Sequence, residues 1–101
     1  MAIVEVSIIP IGTETPSVSK HLARSFRALQ QEKDIKYELT SMGTIMEGDL
    51  QKVLGVVMKM HEATFDGGIM RVVTTIRIDD RRDRTLTMSG KIESLRRELE
   101  H

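Results

Sequence analysis

The chain has 101 residues, a formal net charge of zero and no cysteine. Its length suits one domain spanning residues 1–101 and excludes a multidomain architecture, because domains typically hold about 100 to 150 residues. The balanced charge disfavours a nucleic-acid partner, and the lack of cysteine excludes disulfides and thiolate chemistry. No apolar run has the length of a membrane-spanning helix, and the N-terminus lacks a secretory pattern. We therefore expect a cytoplasmic protein with no membrane partner.

The first third of the chain contains a strand pattern followed by a helix pattern. Residues 3–9 alternate between apolar and polar side chains, which predicts a strand with one buried face. The segment 10–14 is predicted to end this strand, because proline cannot donate to a central ladder and glycine permits a turn. Thr15 followed by Pro16 is typical of a helix start, and the helix is predicted to reach about Gln31. Its apolar residues are Val18, Leu22, Phe26 and Leu29.

The remaining elements follow the same two patterns. Residues 36–41 and 44–47 predict a hairpin, and Asp49 is placed to cap a second helix. The apolar stripe of that helix comprises Leu50, Val53, Leu54, Val57, Met58, His61 and Phe65. Residues 69–79 form the longest strand candidate, and Ser89 predicts the cap of a terminal helix. The apolar side of the terminal helix carries Ile92, Leu95 and Leu99.

The order of these elements predicts an α+β, ferredoxin-like βαββαβ sandwich. Its antiparallel four-stranded sheet has two helices on one face, with an extra C-terminal helix. The other face is predicted to be uncovered and mostly polar, carrying Glu5, Ser7, Lys36, Glu38, Thr40, Arg71, Val73, Thr75 and Arg77. The last three residues, 99–101, match the start of a common vector-derived tag, so no function is assigned to them.

The familiar catalytic and metal-binding templates are all incomplete. His61 and Glu62 begin like a zinc-protease helix, but Phe65 stands where the second histidine is needed. The glycines lack phosphate-loop spacing, and no nucleophile elbow is present. We therefore expect no enzyme activity, no metal and no cofactor.

Two further features allow more than one interpretation. Residues 77–84 contain four arginines and three aspartates, which indicates either a solvated loop with local ion pairs or an anion or subunit contact. The turn segments 10–13, 41–48 and 68–72 suit a small polar ligand, or are simply hairpin turns.

Several separated motifs resemble the small thiamine-binding-protein family, a formerly uncharacterised, YkoF-related group. The motifs are Ser7-Ile8-Ile9-Pro10-Ile11-Gly12-Thr13, Met42-Gly43-Thr44 with Glu47-Gly48, His61-Glu62, and Arg71-Val72 through Ile76-Arg77-Ile78-Asp79 with Arg81. The resemblance implies a ferredoxin-like fold, a homo-oligomer (a dimer or tetramer) and binding of thiamine or its hydroxymethylpyrimidine moiety without catalysis.

An aminopyrimidine presents a donor amine and acceptor ring nitrogens, so its site needs a carboxylate or carbonyl beside a hydroxyl. We expect Glu47 and Thr44 to orient the ligand, Met42 to form apolar wall, and Ser7 and Thr75 to contribute from neighbouring strands. All five are predicted to converge on the open face.

Other roles remain open at this point. Arg71 and Arg77 are candidates for an anion or subunit contact. Glu47 has a structural alternative as a helix N-terminal carboxylate. The chain as a whole also fits a regulatory metabolite sensor of ACT-domain type or a structural oligomerisation module.

Overall fold

The computed structural model describes residues 1–13 and 19–100. The elements are β1 (Ala2–Ile11), α1 (Ser19–Gln30), β2 (Lys36–Thr40), β3 (Gly43–Gly48), α2 (Leu50–Thr64), a 3-10 turn (Phe65–Gly67), β4 (Arg71–Asp80) and α3 (Met88–Leu99). None of the helices in these two ranges is long and apolar enough to cross a membrane.

The four strands form one antiparallel sheet in the order β2-β3-β1-β4. The side chains of α1 and α2 pack on one face of this sheet. This arrangement is the predicted ferredoxin-like α+β fold, and α3 is the predicted extra C-terminal helix. We call the sheet surface under α1 and α2 the helix face and the opposite surface the open face.

The hydrophobic core lies between the helix face and the two long helices. Alternation along β1 directs Val4, Val6 and Ile8 into it, where they meet Met46 of β3. The helices contribute Leu29, Val53, Val56, Val57 and Met60. Asp49 caps α2 as predicted, because its carboxylate accepts a hydrogen bond from the Lys52 amide at 3.3 Å.

β1 ends at Ile11, within the segment 10–14 that the sequence predicts as its end, but the expectation that proline itself stops the strand is wrong, because Pro10 lies inside it. Pro10 pairs with Val72 of β4, whereas the pairing of β1 with β3 stops at Val6 and Thr44. Beyond Val6 the described residues give β1 a neighbour only in β4, so a proline without an amide hydrogen costs no ladder bond with β3 there.

The helix predictions are confirmed in part. Thr15, Pro16 and Val18 lie outside the described residues, and α1 is described from Ser19. In α2 the buried positions are Val53, Val56, Val57, Met60 and Thr64, while Met58 is 67% exposed. The predicted stripe is therefore wrong at its margins: it includes Met58, which is exposed, and omits Val56, which packs in the core.

The terminal helix differs from its prediction in two ways. Its N-cap is Thr87, whose hydroxyl accepts a hydrogen bond from the Gly90 amide at 2.9 Å, so the expected Ser89 cap is wrong. Its apolar residues Ile92, Leu95 and Leu99 are exposed. Lys91 of α3 forms an ion pair with Asp79 at 2.5 Å, so α3 lies beside the open face, which is therefore not wholly uncovered.

Candidate functional site

A groove of about 590 Å³ lies between α1 and the β2–β3 turn, on the helix face of the sheet. Apolar side chains form its walls: Leu22 and Phe26 from α1, Ile8 from β1, Met60 from α2, and Leu39 and Met42 beside the turn. Small hydroxyl residues, among them Ser25, Thr40 and Thr44, interrupt these walls. An apolar cleft with a few polar groups is typical of a small-molecule site.

One edge of β1 borders the groove and has no strand partner among the described residues. Past Val6 no residue of β3 pairs with β1, although β4 follows it on the other side to Ile11. The Val6 carbonyl points toward β3, since a Cβ added to Gly43 would lie 2.6 Å from that oxygen. Amides and carbonyls of alternate residues share one edge, so the N–H and C=O of Ile8 face the groove.

Thr44 brings a free hydroxyl to the same groove. The residue is only 8% exposed, and its side chain makes no hydrogen bond within the part of the chain that the structure describes. The neighbouring hydroxyls differ: Ser25 donates to the Leu22 carbonyl at 2.8 Å, and Thr40 donates to the Gly43 carbonyl at 2.9 Å. Thr44 therefore remains available to a ligand.

Three of the five predicted ligand residues, Ser7, Met42 and Thr44, line this groove. Met42 sits in the turn, 81% exposed. Ser7 also borders the groove, although its side chain does not point into it. Its register with Thr75 directs the Ser7 side chain to the open face. Thr75 lies on that face as well, outside the groove.

The expectation that all five residues converge on the open face is wrong. Thr44 and Glu47 are three residues apart in β3, and alternation sends them to opposite faces of the sheet. Glu47 is paired with Ile3, four residues before Ser7 in β1, which corresponds to about 13 Å along the strand. Glu47 therefore belongs to a separate region.

That region is a cavity of about 620 Å³ between α3 and the open face. Glu47 lines it and is 4% exposed, so α3 and the neighbouring strand bury nearly all of its side chain. Lys36 lies directly opposite Glu47 across the β2–β3 pair, and Arg96 approaches from α3.

The candidate anion-contact residues lie away from both cavities. Arg77 donates to Glu5 at 3.4 Å on the open face, and the exposed Arg71 makes no ion pair in residues 1–13 and 19–100. In the following loop the Arg81 guanidinium donates to Asp83 at 2.5 and 2.8 Å. These hydrogen bonds lower the pKa of Asp83 to about 2 and raise the pKa of Arg81.

Other features of the site were not predicted from the sequence. The open edge at Ile8 and the walls formed by Leu22, Phe26 and Met60 depend on which strands and helices become neighbours. Pro10 was the available signal, because a proline inside a strand indicates one-sided pairing. No group of three or more His, Cys, Asp or Glu residues among those described is placed to hold a metal ion.

Comparison with known proteins gives consistent matches along nearly the whole chain. Residues 4–96 match the family described as thiamine-binding protein. The UPF0045 protein YqgV of Bacillus subtilis is 50% identical over 99% of both chains. The crystal structure of MJ1052 from Methanocaldococcus jannaschii superposes with a TM-score of 0.85 at 34% identity, covering 93% of this chain and 94% of that one.

A more distant solved structure shows the same fold. It is a Thermotoga maritima protein proposed to act in thiamine biosynthesis or salvage, with a TM-score of 0.77 at 18% identity, covering 93% of this chain and 97% of the other. From the family match and the close relatives, the chain belongs to the thiamine-binding protein family.

Proposed function

We propose that the protein binds thiamine, or its hydroxymethylpyrimidine moiety, in the groove between α1 and the β2–β3 turn, without catalysing a reaction. The observation that carries the proposal is the meeting of two unsatisfied polar features in one apolar groove. Among the described residues, these are the edge of β1 at Ile8, which has no strand partner, and the hydroxyl of the largely buried Thr44, which has no hydrogen-bond partner and keeps some accessible surface.

The hydrogen-bonding pattern of an aminopyrimidine complements this pair of features. Its exocyclic amine donates and its adjacent ring nitrogen accepts, whereas a strand edge offers one carbonyl acceptor and one amide donor from the same residue. Ile8 supplies both groups, and Thr44 adds a hydroxyl that both donates and accepts. Leu22, Phe26 and Met60 then cover the faces of the ring.

The charges of the groove favour the pyrimidine end of thiamine as the buried part. The described lining residues carry no ionisable side chain, so none offers a counter-charge to the thiazolium. A cation without a partner is costly to bury. The thiazolium is therefore expected to point past Met42 toward water.

Calorimetric titration of the full chain tests the ligand assignment. We expect hydroxymethylpyrimidine and thiamine to bind with similar affinity, and the isolated hydroxyethylthiazole to give no heat. No heat from any of the three at millimolar concentration would overturn the proposal and favour the ACT-type sensor or the structural module. Binding of the thiazole alone would contradict the buried-pyrimidine arrangement.

A pair of isosteric variants locates the ligand within the protein. Thr44→Val removes the groove hydroxyl and should weaken hydroxymethylpyrimidine binding about two- to tenfold, the value of one neutral hydrogen bond. Its stability should be unchanged or higher, because the lost hydroxyl had no protein partner. Thr75→Val makes the same chemical change on the open face and serves as the matched control. A loss confined to Thr75→Val would place the ligand on that face.

We also propose that the chain forms a dimer at least, and a tetramer by family resemblance, through its open face. Ile9 and Val73 lie opposite each other there, both exposed, with Ile11 exposed beside them. A stable interface buries roughly 800 Å² per partner, within reach of one face of a small sheet. Light scattering at micromolar concentration should give a mass of at least two chains, and a monomer would contradict this.

A further inference from the structure

We propose a second binding site, independent of the thiamine groove, in which the Glu47 carboxylate receives a small organic cation that carries N–H donors. The site is the cavity of about 620 Å³ between α3 and the open face. It lies across the sheet from the groove, so its existence does not depend on the proposed thiamine binding.

The central observation is a buried carboxylate that has no partner. Glu47 is 4% exposed, yet it makes no hydrogen bond and no ion pair within residues 1–13 and 19–100. In those ranges, every side-chain oxygen or nitrogen that is fully buried has a hydrogen-bond partner. The Glu47 oxygens must therefore keep a little accessible surface, and the space they reach is the cavity they line.

Nearby basic groups do not neutralise this carboxylate. Lys36 and Arg96 line the same cavity, but neither forms an ion pair with Glu47 within 4.0 Å. Glu38 and Glu93 also line the cavity, so its three acidic groups exceed its two basic groups by one. A single positive charge on the ligand would balance the lining.

The other walls of the cavity define the class of cation. Met88 and Ile92 of α3 cover one side with apolar surface, and Ile35 adds more from below. An arylamidinium or arylalkylammonium combines N–H donors for the carboxylate with an apolar body for these side chains. A bare metal ion fits poorly, because Glu47 would be its sole deeply buried carboxylate ligand.

A charged probe and its neutral analogue test the proposal. Benzamidinium and benzamide have nearly the same shape, but only benzamidinium carries a charge. We expect benzamidine, titrated into the full chain, to shift the methyl NMR signals of Met88 and Ile92 saturably. Benzamide should bind at least about tenfold more weakly, because it cannot form a charge-assisted pair with the carboxylate. Equal binding of the two probes, or no saturable shift with either, would overturn the proposal.

Two variants assign the effect to one carboxylate. Glu47→Gln keeps the shape of the side chain and should reduce benzamidinium affinity at least about tenfold. Glu62→Gln, at an exposed position on α2 outside this cavity, is the matched control and should leave it nearly unchanged. A loss with Glu62→Gln and none with Glu47→Gln would contradict the assignment.

Two outcomes remain informative if Glu47→Gln fails to fold. Ile92→Phe fills the cavity from an exposed helix position and should block the probe while the carboxylate stays in place. Thr44→Val should leave benzamidinium binding unchanged, which separates this site from the thiamine groove. If Ile92→Phe binds the probe as the wild type does, the ligand is not in this cavity and the proposal fails.

Discussion

The groove at Thr44 and the cavity at Glu47 are both lined by β3, but they lie on opposite faces of the sheet. Thr44 faces the helices, in a groove whose described lining carries no ionisable side chain. Glu47 faces α3, in a cavity lined by five charged residues. The difference follows from three positions along β3, because an odd spacing in a strand reverses the face. One hairpin therefore lines two cavities whose described residues differ in charge.

The largest expected change in the free energy of unfolding comes from a variant in the core on the helix face. Met46→Ala removes a fully buried side chain and should lower the free energy of unfolding by about 2 to 5 kcal/mol. Met42→Ala makes the same chemical change at an exposed turn position and should change it by at most about 0.5 kcal/mol. Denaturant titration measures both. Similar losses would mean that the turn is packed as tightly as the core.

The next effect concerns the close approach of β3 to β1 at the rim of the groove. A Cβ at Gly43 would lie 2.6 Å from the Val6 carbonyl oxygen, so Gly43→Ala must push the strands apart. We expect a loss of about 1 to 3 kcal/mol, seen as a lower melting temperature. Gly55→Ala adds a Cβ that meets nothing within 4 Å on α2 and should stabilise the helix by up to about 1 kcal/mol. A melting temperature of Gly43→Ala at or above wild type would contradict the contact.

A third variant separates the two regions through ligand affinity. The sequence predicts that Glu47→Gln lowers the affinity for the pyrimidine tenfold to hundredfold, as loss of a charge-assisted hydrogen bond would. The groove proposal predicts no significant change, because Glu47 lies on the other side of the sheet. Calorimetry with hydroxymethylpyrimidine decides between them. A tenfold loss with intact folding would place Glu47 at the thiamine site.

The smallest effect lies in the charged loop, outside both regions. Hydrogen bonds from Arg81 lower the pKa of Asp83 from 3.8 to about 2. A carboxyl with a lowered folded-state pKa stabilises the fold above its unfolded pKa, and this contribution disappears as the pH falls from about 4 through about 2. Arg81→Met should return the pKa toward 3.8, as followed by the carboxyl carbon-13 shift. Arg82→Met, which removes only the pair with Asp80, is the control and should leave it unchanged.

Local patterns were sufficient to predict the order of elements and the fold. Alternation in residues 3–9 and the Asp49 cap are properties of a few neighbouring residues, and the structure reproduces both. The extension of β1 past Pro10 could not be read locally, because it depends on where β3 stops pairing. The docking of α3 on the open face was missed for the same reason: it depends on Asp79, twelve residues before Lys91.

The candidate site was predictable only as a set of segments. The turn at Met42 and Thr44 lines the groove. Thr44 and Glu47 are three residues apart in one strand, so their side chains lie on opposite faces and cannot share a site. This spacing is visible in the sequence itself. The edge at Ile8 offers backbone groups rather than side chains, so Pro10 was its only signal in the sequence, and that signal did not identify which residues face the groove.

The central claim is that the ligand lies on the helix face, against the free edge of β1. Titration of nitrogen-15-labelled protein with hydroxymethylpyrimidine, followed by amide NMR, tests it most directly. The account predicts saturable shifts for the amides of Ile8 and Thr44, with those of Glu47 and Thr75 nearly unmoved. Saturable shifts at Glu47 and Thr75, with Ile8 and Thr44 unmoved, would contradict it and place the ligand on the open face.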